Sequence, residues 1–327
     1  MRRVLRAVGS ARGAVLRVAV GATVGTVVWT LVIGGCSAGP SQLRAAAIVG
    51  DTEVPRKQVQ DQLATVLAKE GAQTRAELAA THQLDDLSRK IVSLKVRHEL
   101  LTVAARQAGL TVDQARADRL ITEVGGAEAA SKGTIFDADA YRQRAGDKLL
   151  MAQLGSIALR DSAITVDYTT ADTRIAAKAR LEELAQAGPK QARQLIDADV
   201  RAGKEAVIGK RIVAADDPIF ATTPAFGVAD GMVVAFQLAD TKPWLIMVVK
   251  NRTDRGVRPS DNAPKPDQIE PAVLEAIGLQ QLAQVGADVG VLLNPRYGVW
   301  DPVGLQVVTN ENETNGFVAP LRAIPRA

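Results

Sequence analysis

The chain has 327 residues, 47% of them hydrophobic but only 3% aromatic, with 40 basic against 36 acidic side chains. Five of the arginines precede Cys36, so the remainder has 35 basic against 36 acidic groups and lacks the excess cationic charge that nucleic-acid binding needs. A single cysteine excludes an intramolecular disulfide, and two histidines, His82 and His98, constrain every imidazole-based catalytic or metal hypothesis.

Arg2, Arg3, Arg6, Arg12 and Arg17 form a cationic head, and residues 18–35 that follow carry no charged side chain. A positive head, an apolar segment and small residues before a cut site make an export signal. Ile33-Gly34-Gly35-Cys36 resembles the bacterial lipoprotein lipobox. That resemblance implies a diacylglyceryl group on Cys36, with palmitate as an acyl chain, and cleavage just before it. The protein would then be lipid-anchored on the extracytoplasmic face of the bacterial cell membrane. The same apolar stretch also meets the roughly 17–25 residues of an uncleaved transmembrane anchor. Either way the body lies beyond the membrane. Residues 1–35 are thus expected to be a signal peptide and 36–47 a tether.

Residues 45–160 read as a helical domain. An apolar run, Ala46-Ala47-Ile48-Val49, is followed by a turn at Gly50-Asp51, and Pro55 suits the first turn of a helix bearing Val59, Leu63, Val66 and Leu67. Over residues 84–108, Leu87, Ile91, Leu94, His98, Leu101, Ala105 and Ala108 recur at steps of three and four, one stripe of a long amphipathic helix. Gly109 is its C-terminal cap, and Thr111 with Gln114 has capping-box spacing for the next helix. Asp137 is the expected N-cap of a helix carrying Tyr141, Ala145, Leu149, Ala152 and Leu159.

Residues 164–252 change character. Ile164, Val166 and Tyr168 alternate as in a strand, two helical stretches meet at Gly188-Pro189, and β-branched residues mark strands over 208–214, 232–238 and 244–249. Residues 253–271 read as a linker. Residues 272–308 read as a helix and a strand-rich motif, Asn294-Pro295-Arg296-Tyr297-Gly298-Val299-Trp300-Asp301-Pro302, returning to the helical domain. The polar tail, 309–327, is expected to be mobile. The fold class is α+β and predominantly α-helical.

No motif marks an active site. Gly203 to Lys210 is one residue too long for a phosphate loop and is followed by Arg211 where a hydroxyl is needed. His82, Asp85 and Asp86 read as the polar start of a helix rather than metal ligands. Asp197 with Asp199, and Asp216 with Asp217, read as solvated surface pairs. No catalytic residue, cofactor or metal is therefore expected.

The run Ala46-Ala47-Ile48-Val49-Gly50-Asp51-Thr52-Glu53-Val54-Pro55, with the helices over 84–108, 111–124 and 137–160 behind it, resembles the opening of the SurA and PrsA family of extracytoplasmic foldases. The resemblance implies a SurA-like helical chaperone module with a small, diverged parvulin-like α+β insert. Parvulins carry a histidine in the last strand after an aromatic residue, and here Trp244 is followed by Leu245. A second belongs in the first strand, where Asp167-Tyr168-Thr169 stands. Tyr168, Trp244 and Leu245 are thus degenerate parvulin positions. A leucine neither donates nor accepts a hydrogen bond, so little or no isomerase activity is expected. The implied function is a chaperone that transiently binds unfolded or newly exported proteins, with Leu87, Ile91, Leu94 and Leu101 as candidate client-binding residues. The alternatives are an active parvulin-type prolyl isomerase and a structural envelope lipoprotein with a single partner.

Overall fold

Alanines open the described chain. The strand β1 (Ala45–Val49) is buried at Ala45, Ala46, Ala47 and Val49, where small side chains let backbone approach backbone. The computed structural model describes residues 44–69, 75, 76, 78, 80, 81 and 83–322; Cys36, the arginine-rich leader and His82 lie outside the described residues. Gly50 turns at a φ of 57° into β2 (Thr52–Pro55), which pairs antiparallel with β1. Pro55 is extended and ends that strand, and the helix α1 (Arg56–Ala68) begins directly after it. The other edge of β1 pairs antiparallel with β7 (Val291–Leu293), a partner far along the chain.

Among the described residues four longer helices, with the single turn Ala127–Ala130 beside them, continue the helical layer: α2 (Gln83–Gln107), α3 (Gln114–Glu123), α4 (Ala138–Asp161) and, toward the C-terminus, α6 (Pro271–Val289). Gly109, at a φ of 65°, closes α2 as its sequence position predicts, and Leu110 N–H reaches back to the Ala105 carbonyl at 2.8 Å. The cap of α3 differs from expectation. Asp113, rather than Thr111, accepts from the Arg116 N–H at 2.9 Å, because a carboxylate one residue before the helix reaches the free N–H groups that Thr111 overshoots. Asp137 caps α4, accepting from Ala140 N–H at 2.7 Å.

α2 is buried more widely than its single stripe predicts. Val92, Ser93, Val96, Leu100 and Ala104 are buried beside Ile91, Leu101 and Ala105. The cause is that α2 lies between two layers, α4 and α6 on one flank and β1 and β9 (Gln306–Val308) on the other. Ser93 Oγ accepts from the Val307 N–H at 2.8 Å, tying helix to strand.

A five-stranded antiparallel sheet forms the second layer, in the order β10 (Gly316–Pro320), β5 (Met232–Gln237), β6 (Trp244–Thr253), β3 (Ala163–Ala171), β4 (Val207–Val213). One face is covered by α5 (Arg174–Arg201), which breaks at Gly188, at a φ of 72°, and continues through Pro189. Leu181, Leu184 and Ile196 of α5 join Val233, Ile246 and Val248 in that core. The opposite face joins Leu159 of α4 and Leu274 and Ile277 of α6 in another. Sheet and helices therefore share a hydrophobic interior, and the chain is mixed α+β and mainly helical.

Two expectations are corrected. The polar tail from Thr309 carries regular structure in its described part: β10 pairs at the edge of the sheet, and Arg174 donates to the Thr314 carbonyl at 2.5 Å and the Thr314 hydroxyl at 2.7 Å. Phe317 within it stacks on Trp244 at 5.9 Å between ring centroids, so one apolar residue anchors a polar segment. Asp199, read as a surface carboxylate, is buried. It accepts from Thr169 Oγ1 at 2.9 Å, Arg180 Nη2 at 2.5 Å and Lys204 Nζ at 2.7 Å. Burial alone pushes its carboxyl up, but the bonds from Lys204, Thr169 and Arg180 prevail and hold it below the usual range.

The motif at 294–302 ties β1 to the segment that follows α6. Asn294 donates to the Ala45 carbonyl at 3.0 Å through its side chain and to the Ala46 carbonyl at 3.0 Å through its backbone. Tyr297 is buried, and Asp301, fully buried, accepts from Val303 N–H, Asn315 N–H and the Asn315 amide. A fully buried carboxylate needs such donors, since an unpaired one is strongly disfavoured.

Candidate functional site

A cleft of about 280 Å³ opens among α2, α4 and α6. Its floor is apolar, with Leu94 and Leu101 from α2, Met151 from α4, and Ala276 and Leu279 from α6. Polar groups ring it: Lys95, Arg97, His98, Arg144, Asp147 and Glu275. The helical period places them together. Leu94, Lys95, Arg97, His98 and Leu101 fall within two turns of α2, while Gln143, Arg144, Asp147 and Met151 repeat at three and four along α4.

Each charged group has a distinct environment. His98 Nδ1 lies 2.9 Å from Asp147 Oδ1 across the cleft wall. Burial pulls the imidazole down, but the hydrogen bond and charge of Asp147 outweigh it, and the net effect raises its pKa. Arg97 donates to the carbonyls of Leu305 at 2.5 Å and Gly304 at 3.3 Å, holding the C-terminal hairpin of β8 (Val299–Asp301) and β9. Burial pulls the Lys95 ammonium below its ordinary value, opposed by the charges of Asp137 and Glu99. Arg144 stacks over the Phe136 ring, 5.0 Å from its centroid. Glu275 faces Lys148 at 3.6 Å.

The four residues expected to touch clients separate in the structure. Leu94 and Leu101 line the cleft. Ile91 does not: it is 0% exposed in the core, beneath α2, where no bound segment reaches it. Leu87, half-buried, is not part of the cleft lining. The i, i+3, i+4 stripe identified a helix face, and that face continues from core into cleft along its length. Met151, Ala276 and Leu279 were missed because they belong to other helices, whose placement beside α2 has no local signal.

The degenerate parvulin positions separate likewise. Tyr168 pairs with Met247 and Thr170 with Leu245 in the β3–β6 register, so Tyr168, Leu245 and Met247 share one face. Trp244, adjacent in sequence to Leu245, points to the opposite face, against Phe317 and beneath α5. On the Tyr168 face Leu245 is 9% and Met247 2% exposed. The short turns Phe220–Thr222 and Pro224–Gly227, with Phe226 buried, pack between that face and α6.

A second pocket of about 360 Å³ lies between α6, Pro224–Gly227 and the β8–β9 hairpin, walled by Met232, Trp300, Pro302 and Val318. The Gln280 side chain lines it, and its Oε1 has no hydrogen-bond partner among the described residues. No group of three or more metal-ligating side chains occurs among the described residues. No helix among them is long and apolar enough to cross a membrane.

Residues 9–153 match the family of the SurA-like N-terminal domain. No curated protein matches the chain. The matched segment contains α1 to α3, most of α4, and the Leu94, Leu101, His98 and Asp147 side of the cleft. Residues 9–153 are therefore a SurA-like N-terminal domain, a domain type of extracytoplasmic chaperones and foldases.

Proposed function

We propose that this protein is a membrane-anchored extracytoplasmic chaperone that holds unfolded exported segments in the cleft among α2, α4 and α6. The observation that carries the reading is the apolar floor of that cleft, open to solvent and built in large part by the SurA-like domain. An unfolded segment presents apolar side chains to water. Transferring them onto Leu94, Leu101, Met151 and Leu279 gains about 25 cal/mol per Å² of surface covered. The cleft is too small for a folded domain, so it engages one short stretch at a time, and modest buried area makes release fast. That suits transient holding rather than permanent complex formation.

Catalysis of prolyl rotation is not part of the proposal. The barrier is about 18–20 kcal/mol, and lowering it calls for polar groups around the rotating bond. Leu245 offers none, the Tyr168 face is covered by Phe226 and α6, and the sequence has no histidine after His98. The five-stranded sheet then serves as a scaffold that positions α6, one wall of the cleft. Lipid attachment at Cys36 places the cleft at the membrane where clients emerge. Intact-mass measurement of membrane-extracted protein tests that part, with a mass lacking acyl chains and retaining the leader counting against it.

The test of function is an aggregation assay with the full chain reconstituted in vesicles and a denatured secretory protein as client. Suppression at stoichiometric ratio is expected, with no acceleration of a proline-limited refolding reaction. Unchanged aggregation defeats the reading.

A further inference from the structure

Most charges of the cleft are already spent. Asp147 is bonded to His98, Glu275 faces Lys148, and Arg97 is committed to the carbonyls of Gly304 and Leu305. Two cations remain. Lys95 forms no hydrogen bond or salt bridge among the described residues, although it is half-buried. Arg144 has only the Phe136 ring beneath it, a stacking that leaves the N–H edge of the guanidinium unbonded. Asp137 and Glu99 act on the Lys95 ammonium through charge alone, with no hydrogen bond to it, and a partly desolvated ammonium that donates no hydrogen bond is unfavourable, so an incoming anion that accepts from it relieves the cost.

Taking the cleft as the client site, we propose that it recognises the free C-terminal carboxylate of a peptide whose last side chain is apolar. Lys95 and Arg144 take the carboxylate, and Leu94, Leu101, Met151 and Leu279 take the side chain. Charge complementarity selects an anion, and the adjacent apolar floor selects an apolar group joined to it. The peptide source follows from two further lining groups. Gln62 and Gln143 also line the cleft; Gln62 Nε2 donates to the Ile135 carbonyl at 3.0 Å, so Gln62 offers its Oε1 to a peptide N–H while the Gln143 amide can bond both the N–H and the C=O of a peptide backbone, which a fatty acid lacks. A released exported chain presents one such terminus, so the site gives an end-specific hold on a chain whose interior is read only as apolar.

The test is calorimetric binding to the full chain in detergent micelles, with protein-free micelles as blank. The probes are a short peptide ending in leucine with a free carboxylate, the same peptide amidated at its C-terminus, and dodecanoate. The free acid is expected to bind about tenfold or more tightly than the amide, the usual advantage of a charge-assisted contact. In Lys95→Gln and Arg144→Gln the acid should fall to the affinity of the amide, and the amide should be unaffected. Equal affinity of acid and amide for the unaltered protein overturns the proposal without needing any variant. Tighter binding of dodecanoate than of the acid peptide, with competition between them, overturns the peptide assignment. Aggregation suppression without acid preference leaves the chaperone function standing and removes the end-specific site. Acid preference without suppression removes the chaperone function and keeps the site.

Discussion

Gly155 of α4 and Gly278 of α6 meet where the two helices cross. A Cβ placed on Gly155 would lie 1.8 Å from the Leu274 carbonyl oxygen and 3.0 Å from the Gly278 nitrogen, and one on Gly278 would lie 1.9 Å from the Met151 carbonyl oxygen. Backbone touches backbone there, so neither position has room for a methyl group. The crossing sets the width of the cleft, because Met151 and Leu279 stand next to it on the two helices.

Gly155→Ala and Gly278→Ala should each destabilise the fold by about 2 kcal/mol or more, since the clash is with main chain that cannot rotate away. Gly256→Ala serves as a control for substitution at a glycine with nothing nearby, its own penalty coming from a φ of 67° alone. Urea denaturation checks the prediction. A midpoint for Gly155→Ala equal to that of the unaltered protein would show that the helices separate without loss.

Ending the chain after Val308 should destabilise the sheet rather than merely shorten the protein. The cut removes β10, the Phe317 stack on Trp244 and the partners of Arg174. The loss should reach about 2–4 kcal/mol, in the range of removing a buried aromatic. Trp244 emission should shift to the red as water reaches the indole. An unchanged thermal midpoint and emission maximum would mean that β10 contributes nothing.

Two positions on one face of α2 should respond oppositely. Ile91→Ala leaves a cavity in the closed core and should cost about 2–5 kcal/mol while leaving client affinity intact at temperatures where the variant is folded. Leu94→Ser removes apolar floor from an open cleft and should weaken client binding with about 1 kcal/mol or less of lost stability. Denaturation and aggregation assays on both variants separate core from site. Equal binding loss in the two would refute the division.

The His98–Asp147 pair makes part of the stability depend on pH. The folded pKa of His98 is raised above its ordinary value of 6.5, so the folded state favours the protonated ring. That contribution is fully present below about pH 6.5 and is lost as pH rises through the folded value. Relative to the unaltered protein, Asp147→Asn should therefore be less stable at acidic pH, the difference shrinking toward zero as pH increases past neutrality. Denaturation midpoints across pH 5 to about 9 report it. A difference that grows with pH would reverse the assigned sign.

Much of the helical layer was legible locally. Gly109, Asp137 and Gly188 end, start and interrupt helices where residue type alone places them, because caps and breaks act within a turn of chain. The stripe on α2 was legible as a helix, but Val96, Leu100 and Ala104 on its other flank were not, since alanine and valine on a second face gain meaning only when β1 and β9 cover it. The strand in the tail has no local signal because its polar residues outnumber Phe317, and a strand that joins a sheet draws its backbone bonds from a distant segment, here β5, where Gly316 pairs with Phe236.

By itself the sequence determined the α+β, mainly helical class and the SurA-like domain, along with the absence of any imidazole in the second half. These are properties of period, punctuation and composition, which short-range sterics and solvation set. Only the tertiary structure decided that Gly155 faces Gly278, that Leu245 is covered, and that Leu94, Lys95, Arg144 and Leu279 converge on one cleft. Those relations depend on how surfaces from distant segments fit. Complementarity between two surfaces is not encoded in the pattern of either one alone.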